Sequence, residues 1–331
     1  MSEIKEISWQ SGPAAKWLDR IQHGRTPHAV LLTGSKGVGK RSAAAWMAQH
    51  HLGLTAPKLP QYPVPAIEHA DLRWITRPED KQAIGIDQIR GLVAEMSMTS
   101  YQGGGKVAVI EPADAMTNSA ANSLLKTLEE PSGNALLILI ADRKGRLPAT
   151  IFSRCQRIDI AAPAETDALQ WLNQLHPGNN WGEALRLGGN APLAAMAALD
   201  QLDAHQTMSR EFAAVASGTT SPIEVAARWK SLDTPFVLDW LARQVQYSIF
   251  RAASAGNRGQ QAEIADSVLN RMDRRNLFCY LDIINRLRGQ PGGSFNVQLI
   301  LEGLLIDLSE GLKNCGANSP GGEIPEMMEQ R

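Results

Sequence analysis

Gly34, Gly39 and Lys40 fit the spacing G-x-x-x-x-G-K, directly after the apolar run His28-Ala-Val-Leu-Leu-Thr33 and directly before Ser42-Ala-Ala-Ala-Trp-Met-Ala-Gln49. Residues of these types at this spacing bind phosphate. The glycines let backbone N–H groups converge on a phosphate at a helix N-terminus, and the lysine neutralises the outer phosphates. A glycine turn that only packs a helix on a strand is the bland reading, and the strand-loop-helix context weighs against it. The next position, however, is Arg41, where the pattern needs a hydroxyl to coordinate magnesium. Ser42 is no substitute, because it points about 100° away around the helix. A second test is the strand that carries the acidic pair in an active ATPase with such a loop. Here it ends Val109-Ile110-Glu111-Pro112. Glu111 could hold a metal, but Pro112 has no carboxylate to activate water. Two separate parts of a hydrolytic site are missing, so ATP and magnesium binding are expected to be weak or absent.

The elements that position these groups are short apolar strands alternating with helices. Residues 28–33 read as a strand buried on both faces. Residues 72–76, 106–110, 136–140 and 156–160 are further strands. A helix opens at Pro13 with Ala14, Trp17, Leu18 and Ile21 on one face, and Gly24 stops it. Asp87 is expected to cap another helix, whose Ile89, Leu92, Val93 and Met96 share a face. A third runs over about 118–130 until Pro131 ends it, with Ala120, Ala121, Leu124, Leu125 and Leu128 inward. Prolines at 57, 60, 63 and 65 make 53–66 an extended surface excursion. This alternation calls for a mostly parallel sheet covered on both faces, with ligand chemistry at the strand carboxyl ends.

Past Pro163 the strand signal stops and helical periodicity takes over, broken near 187–192 and 217–222. Leu238, Leu241, Val245 and Ile249 form one amphipathic face, and residues 296–308 another, as in a helical bundle. Residues 314–331 lack apolar periodicity and read as a disordered tail. The expected division is 1–163 for the α/β domain, 164–206 for a small helical domain, 207–313 for a larger helical one, and then the tail.

Composition excludes several classes. A chain of 331 residues exceeds the roughly 250–300 at which single cores stop growing. No run approaches the ~18 apolar residues of a membrane span, and the start lacks a basic-then-apolar leader, so a cytoplasmic location is expected. Cys155, Cys279 and Cys315 are odd in number and far apart, which fits reduced thiols. A net charge of −1 and 5% aromatic residues provide neither the field nor the stacking platform of a stand-alone nucleic-acid module.

Two long segments, Ala120-Ala-Asn-Ser-Leu-Leu-Lys-Thr-Leu-Glu-Glu-Pro131 and Leu147-Pro-Ala-Thr-Ile-Phe-Ser-Arg-Cys155, resemble segments of the clamp-loader subunits of bacterial DNA polymerase III, a family of AAA+ proteins. His28-Ala-Val-Leu-Leu and Ile86-Asp-Gln-Ile-Arg90 extend the resemblance, which is close over about the first 160 residues and architectural beyond. It implies an α/β AAA+ P-loop domain with a parallel sheet, a small helical lid and an all-α collar. Such subunits assemble with gamma- or tau-type ATPase subunits and a delta subunit into an incomplete ring that loads the sliding clamp on primed DNA. Members that lose the phosphate loop and acidic strand but keep Ser153-Arg154-Cys155 are the non-hydrolysing ones.

The resemblance makes Arg154 an arginine finger donated in trans to a neighbour's ATP site. It also puts Ser153, Cys155, Lys126, Glu129 and Glu130 at a subunit interface. The local alternatives are an ion pair for Arg154 and plain solvation for Lys126, Glu129 and Glu130. The chain departs from the family twice. Residues 52–74 lack the cysteines of the family's zinc module, so no zinc and no other metal is expected. Where the family's ATPases place a lid arginine after a glycine turn, Gly188-Gly-Asn-Ala-Pro192 brings a proline that suits a first helical turn. The competing functional reading is an active ATPase with an atypical metal site built on Lys40 and Glu111.

Overall fold

In a strand buried on both faces, alternate residues serve opposite cores, and the first long strand does so at every position. The computed structural model describes residues 4–79, 81, 83–101, 103–131, 133–142, 147–253, 274–288 and 296–313. The expected tail, 314–331, lies outside the described residues.

Strand β1 (Lys5–Glu6), a 3-10 turn (Ser8–Gln10) and helix α1 (Ser11–Gln22) lead to β2 (Ala29–Thr33) and α2 (Lys40–His51). Then come β3 (Gln61–Tyr62), β4 (Leu72–Thr76), α3 (Ile86–Met96), β5 (Lys106–Glu111), α4 (Asn118–Glu129), β6 (Ala135–Ala141), α5 (Ala149–Phe152) and β7 (Gln156–Asp159). Helices follow: α6 (Glu165–Leu175), α7 (Trp181–Leu187), α8 (Pro192–Leu199), α9 (Leu202–Ala216), α10 (Pro222–Trp229), α11 (Thr234–Ala253), α12 (Arg274–Arg288) and α13 (Val297–Ser309).

The main sheet is parallel throughout, in the order β4-β5-β6-β2-β7. Leu31 at its centre pairs with Leu139 of β6 and Arg157 of β7. Val30 and Leu32 join Val107, Val109, Leu136 and Ile138 under α1 and α2, with Trp17 and Trp46. Ala29 and Leu31 join Ala108, Ile110, Leu137 and Leu139 under α3 and α4, with Ile89 and Leu124. Each buried Val, Leu or Ile among these stabilises the fold by about 1.5–3 kcal/mol relative to exposure. All strand carboxyl ends therefore point the same way, which fixes where the phosphate loop and Glu111 emerge.

Residues up to Leu202 form one compact unit and those from Asp203 a second. Helices α6 to α8 belong to the first, where Trp171, Trp181, Leu185 and Ala195 cluster with Ile7. The second unit packs α9 to α13 around Phe212, Trp229, Trp240, Tyr280 and Leu305. Leu238, Leu241 and Val245 are in that core, with Ile249 packed against it. Asn296 caps α13, its side chain accepting from the backbone of Gln298 and Leu299.

Two local expectations are corrected. Asp87 does not cap α3: Gly85 is the N-cap, Gln88 accepts from the Gly85 N–H at 3.3 Å, and Asp87 lies in the first turn, where the helix dipole favours its charge. The proline-rich segment is tied down as well, because β3 pairs antiparallel with β1. Proline lacks a donor but keeps its carbonyl, and Pro60 O accepts from Ile7 N at 2.8 Å while Pro57 O accepts from Trp46 Nε1 at 2.8 Å.

Candidate functional site

The phosphate loop leaves the carboxyl end of β2 as expected, and Gly39 (φ +89°) is the N-cap of α2. Lys40 is only 5% exposed. Its ammonium donates to Gly34 O and Ser35 O, each at 2.7 Å, and pairs with Asp142 Oδ1 at 2.7 Å. An ammonium has three donors, so this lysine is fully occupied within the chain. Other groups hold the rest of the loop. Trp9 Nε1 donates to Val38 O at 3.0 Å, and Gln10 Nε2 donates to Val38 O and Gly39 O, each at 2.9 Å. From the first turn of α8, Leu193 N donates to Gly37 O at 3.0 Å, and Pro192 takes the expected first-turn place in that helix.

Gly37 shows what the loop now does. Its φ is +87°, and a Cβ there would lie 2.4 Å from Ala194 N. The glycine lets the α8 backbone sit on the loop. Gly37→Ala is expected to cost at least about 1–3 kcal/mol from backbone strain alone, read as a lower urea midpoint of the full chain. A change within about 0.5 kcal/mol, typical of a plain surface substitution, would contradict this packing role.

On the metal side, β5 ends at Glu111, and Arg41 pairs with its Oε2 at 3.4 Å. The Arg41 guanidinium also lies 5.2 Å from the centre of the Trp74 ring, and Trp74 Nε1 donates to Glu111 Oε2 at 3.0 Å. The carboxylate that could have held a metal is thus neutralised by the arginine that replaced the hydroxyl. β6 runs between β5 and β2, so its carboxyl end delivers Asp142 to Lys40. Sequence reasoning missed Asp142, Trp74, Trp9 and Gln10. Only Asp142 carried a signal, as an acidic residue directly after an apolar strand.

Arg154 precedes β7 and so lies at the amino end of the sheet, opposite its own phosphate loop. Its Nε donates to Glu129 Oε1 at 2.8 Å, and Nη1 donates to Thr150 O at 3.1 Å and to Ser153 Oγ at 3.2 Å. The ends of α4 and α5 therefore bring Arg154, Ser153 and Glu129 together, and the ion pair weighed as the local alternative is present in the single chain. Lys126, Glu129 and Glu130 are exposed along the last turns of α4. Cys155 is buried in the core beneath, and burial pushes its thiol up to about 12. Its side chain packs in the core cluster under α3 and α4 and keeps 8% of its surface exposed in the free chain.

The family model described as "DNA polymerase III, delta subunit" matches residues 9–164. DNA polymerase III subunit delta-prime of Pseudomonas aeruginosa is 34% identical over 249 residues, which are 70% of this chain and 74% of that protein. The Escherichia coli subunit delta-prime is 27% identical over 323 residues, 92% of this chain and 96% of that protein. DNA polymerase III subunit tau of Bacillus subtilis is 34% identical over 142 residues, 40% of this chain and 24% of that protein. With a relative of that identity aligned over most of both chains, and with the altered phosphate loop and the Ser153-Arg154-Cys155 segment in place, this chain belongs to the delta-prime family of bacterial DNA polymerase III subunits.

Proposed function

We propose that the chain is a non-hydrolysing subunit of a cytoplasmic clamp loader that works on an ATP site belonging to another chain. In this reading it assembles with gamma- or tau-type ATPase subunits and a delta subunit, presents Arg154 to a neighbour's ATP, and so helps load the sliding clamp on primed DNA. The observation that carries it is the separation of the two motifs. Lys40 is consumed by its own loop and Asp142 at one end of the sheet, whereas Arg154 is held at the other, where it cannot serve that loop. A guanidinium offers a planar fork of donors suited to phosphate oxygens. Its pair with Glu129 leaves Arg154 32% and Glu129 50% exposed, and exposed pairs of this kind are worth only about 0–1 kcal/mol. A phosphate can displace it at little cost. The reading of an active ATPase on Lys40 and Glu111 would need both groups to leave their present partners.

Assembly is tested by mixing the full chain with purified gamma-type, delta and clamp subunits before size-exclusion chromatography. Co-elution with the ATPase subunits is expected. A chain that elutes alone at micromolar concentrations would remove the basis for the proposal.

A further inference from the structure

Strand β7 closes one side of the main sheet, pairing with β2 alone among the described strands. Because Ile160 N donates to Thr33 O across the β2 side, and alternate residues of a strand turn their N–H and C=O to opposite sides, the backbone of Arg157 faces the outer side. An edge like this is a template for another extended segment. Beside it runs a groove of about 360 Å³ lined by Pro13, Lys16, Trp17 and Arg20 of α1 and by Gln156 to Asp159 of β7. Pro13, Lys16, Trp17 and Arg20 share one face of α1 by their spacing. Lys16 and Arg157 are exposed and Arg20 half-exposed, and none of the three has a carboxylate partner among the described residues. Trp17, 1% exposed, keeps a buried indole N–H with no acceptor.

We propose that this groove receives an extended acidic segment of a partner protein, which adds a strand to β7 and sets its carboxylates against Lys16, Arg20 and Arg157. The inference rests on residues separate from those of the proposed function, and either can fail alone. Backbone donors and acceptors along the edge match a peptide, with pockets beside the strand reading side chains. A nucleic-acid strand fits less well, because the one aromatic ring lining the groove among the described residues, Trp17, is buried and gives bases nothing to stack on.

The test uses the full-length chain and a fluorescein-labelled peptide alternating glutamate and valine, followed by fluorescence polarisation. A lysine-valine peptide and an oligothymidylate of similar length serve as competing probes. The acidic peptide is expected to bind, and Lys16→Glu with Arg157→Glu to weaken it by about tenfold or more, since like charges facing a ligand cost several kcal/mol. The milder pair Lys16→Gln with Arg157→Gln guards against misfolding and should weaken binding in the same direction. Hydrogen exchange should slow at 156–159 on binding. The proposal is overturned if the acidic peptide binds no better than the basic one, if protection appears away from β7, or if oligothymidylate binds in preference and loses affinity in the same variants, which would mark a nucleic-acid surface.

Discussion

Replacing Arg154 by alanine in the assembled clamp loader is expected to lower turnover at the one ATP site facing it by about 10³–10⁵-fold, the range of finger-dependent phosphoryl transfer. In the proposed reading the loss falls on a site in another chain, so the bulk rate should drop by that site's share while the remaining sites turn over. Arg154→Lys keeps the charge but loses the planar fork and should recover little. Glu129→Ala removes the partner seen in the free chain and, wherever the complex still assembles, should lower turnover far less than Arg154→Ala, because an exposed pair contributes little. Assembly is verified for each variant by size exclusion. If both Arg154 variants assemble and the complex hydrolyses ATP at the unaltered rate, the guanidinium is a local strut and no finger.

Trp240 lies in the core of the second unit. It is 1% exposed, meets Phe212 and Trp229 edge-on at 5.4 and 5.6 Å, and donates from Nε1 to His205 Nδ1 at 2.5 Å. Trp240→Ala is expected to cost about 3–5 kcal/mol through the cavity it leaves, a large part of the roughly 5–15 kcal/mol by which domains are stable. Urea unfolding followed by circular dichroism reads it. Trp240→Phe, which keeps most of the ring but leaves His205 Nδ1 without its donor, should cost less, about 1–3 kcal/mol. Equal losses for the two variants would mean that the hydrogen bond outweighs the packing. A loss below about 1 kcal/mol for alanine would show that the bundle does not rest on this ring.

The central sheet was legible because its signal is local. Residues 29–32 and 136–140 are unbroken aliphatic runs, and both became strands buried on two faces, as continuous apolar character requires. The phosphate loop was legible for the same reason, since its glycines, Lys40 and the misplaced Arg41 occupy eight consecutive positions. What the sequence hid was pairing at a distance. Arg41 and Glu111 are 70 positions apart, and neither announces the ion pair that closes the metal position. Trp9 and Gln10 read as ordinary residues ahead of a helix, and only folding sets them on Val38 and Gly39. Prolines at 57 and 60 argued against regular structure, yet β3 forms because it borrows an edge from β1. Arg154 was found by its flanking residues, but Glu129 became its partner only when the ends of α4 and α5 met.

The separation of a closed phosphate loop from an available arginine is most directly tested by titrating Mg-ATP into the isolated full-length chain in a calorimeter, with phosphate release followed in the same samples. With Lys40 held by Gly34, Ser35 and Asp142 and Glu111 held by Arg41, no saturable heat and no phosphate release are expected. One-to-one binding of Mg-ATP accompanied by turnover would contradict the account, since it would require this chain's own loop to be the working site.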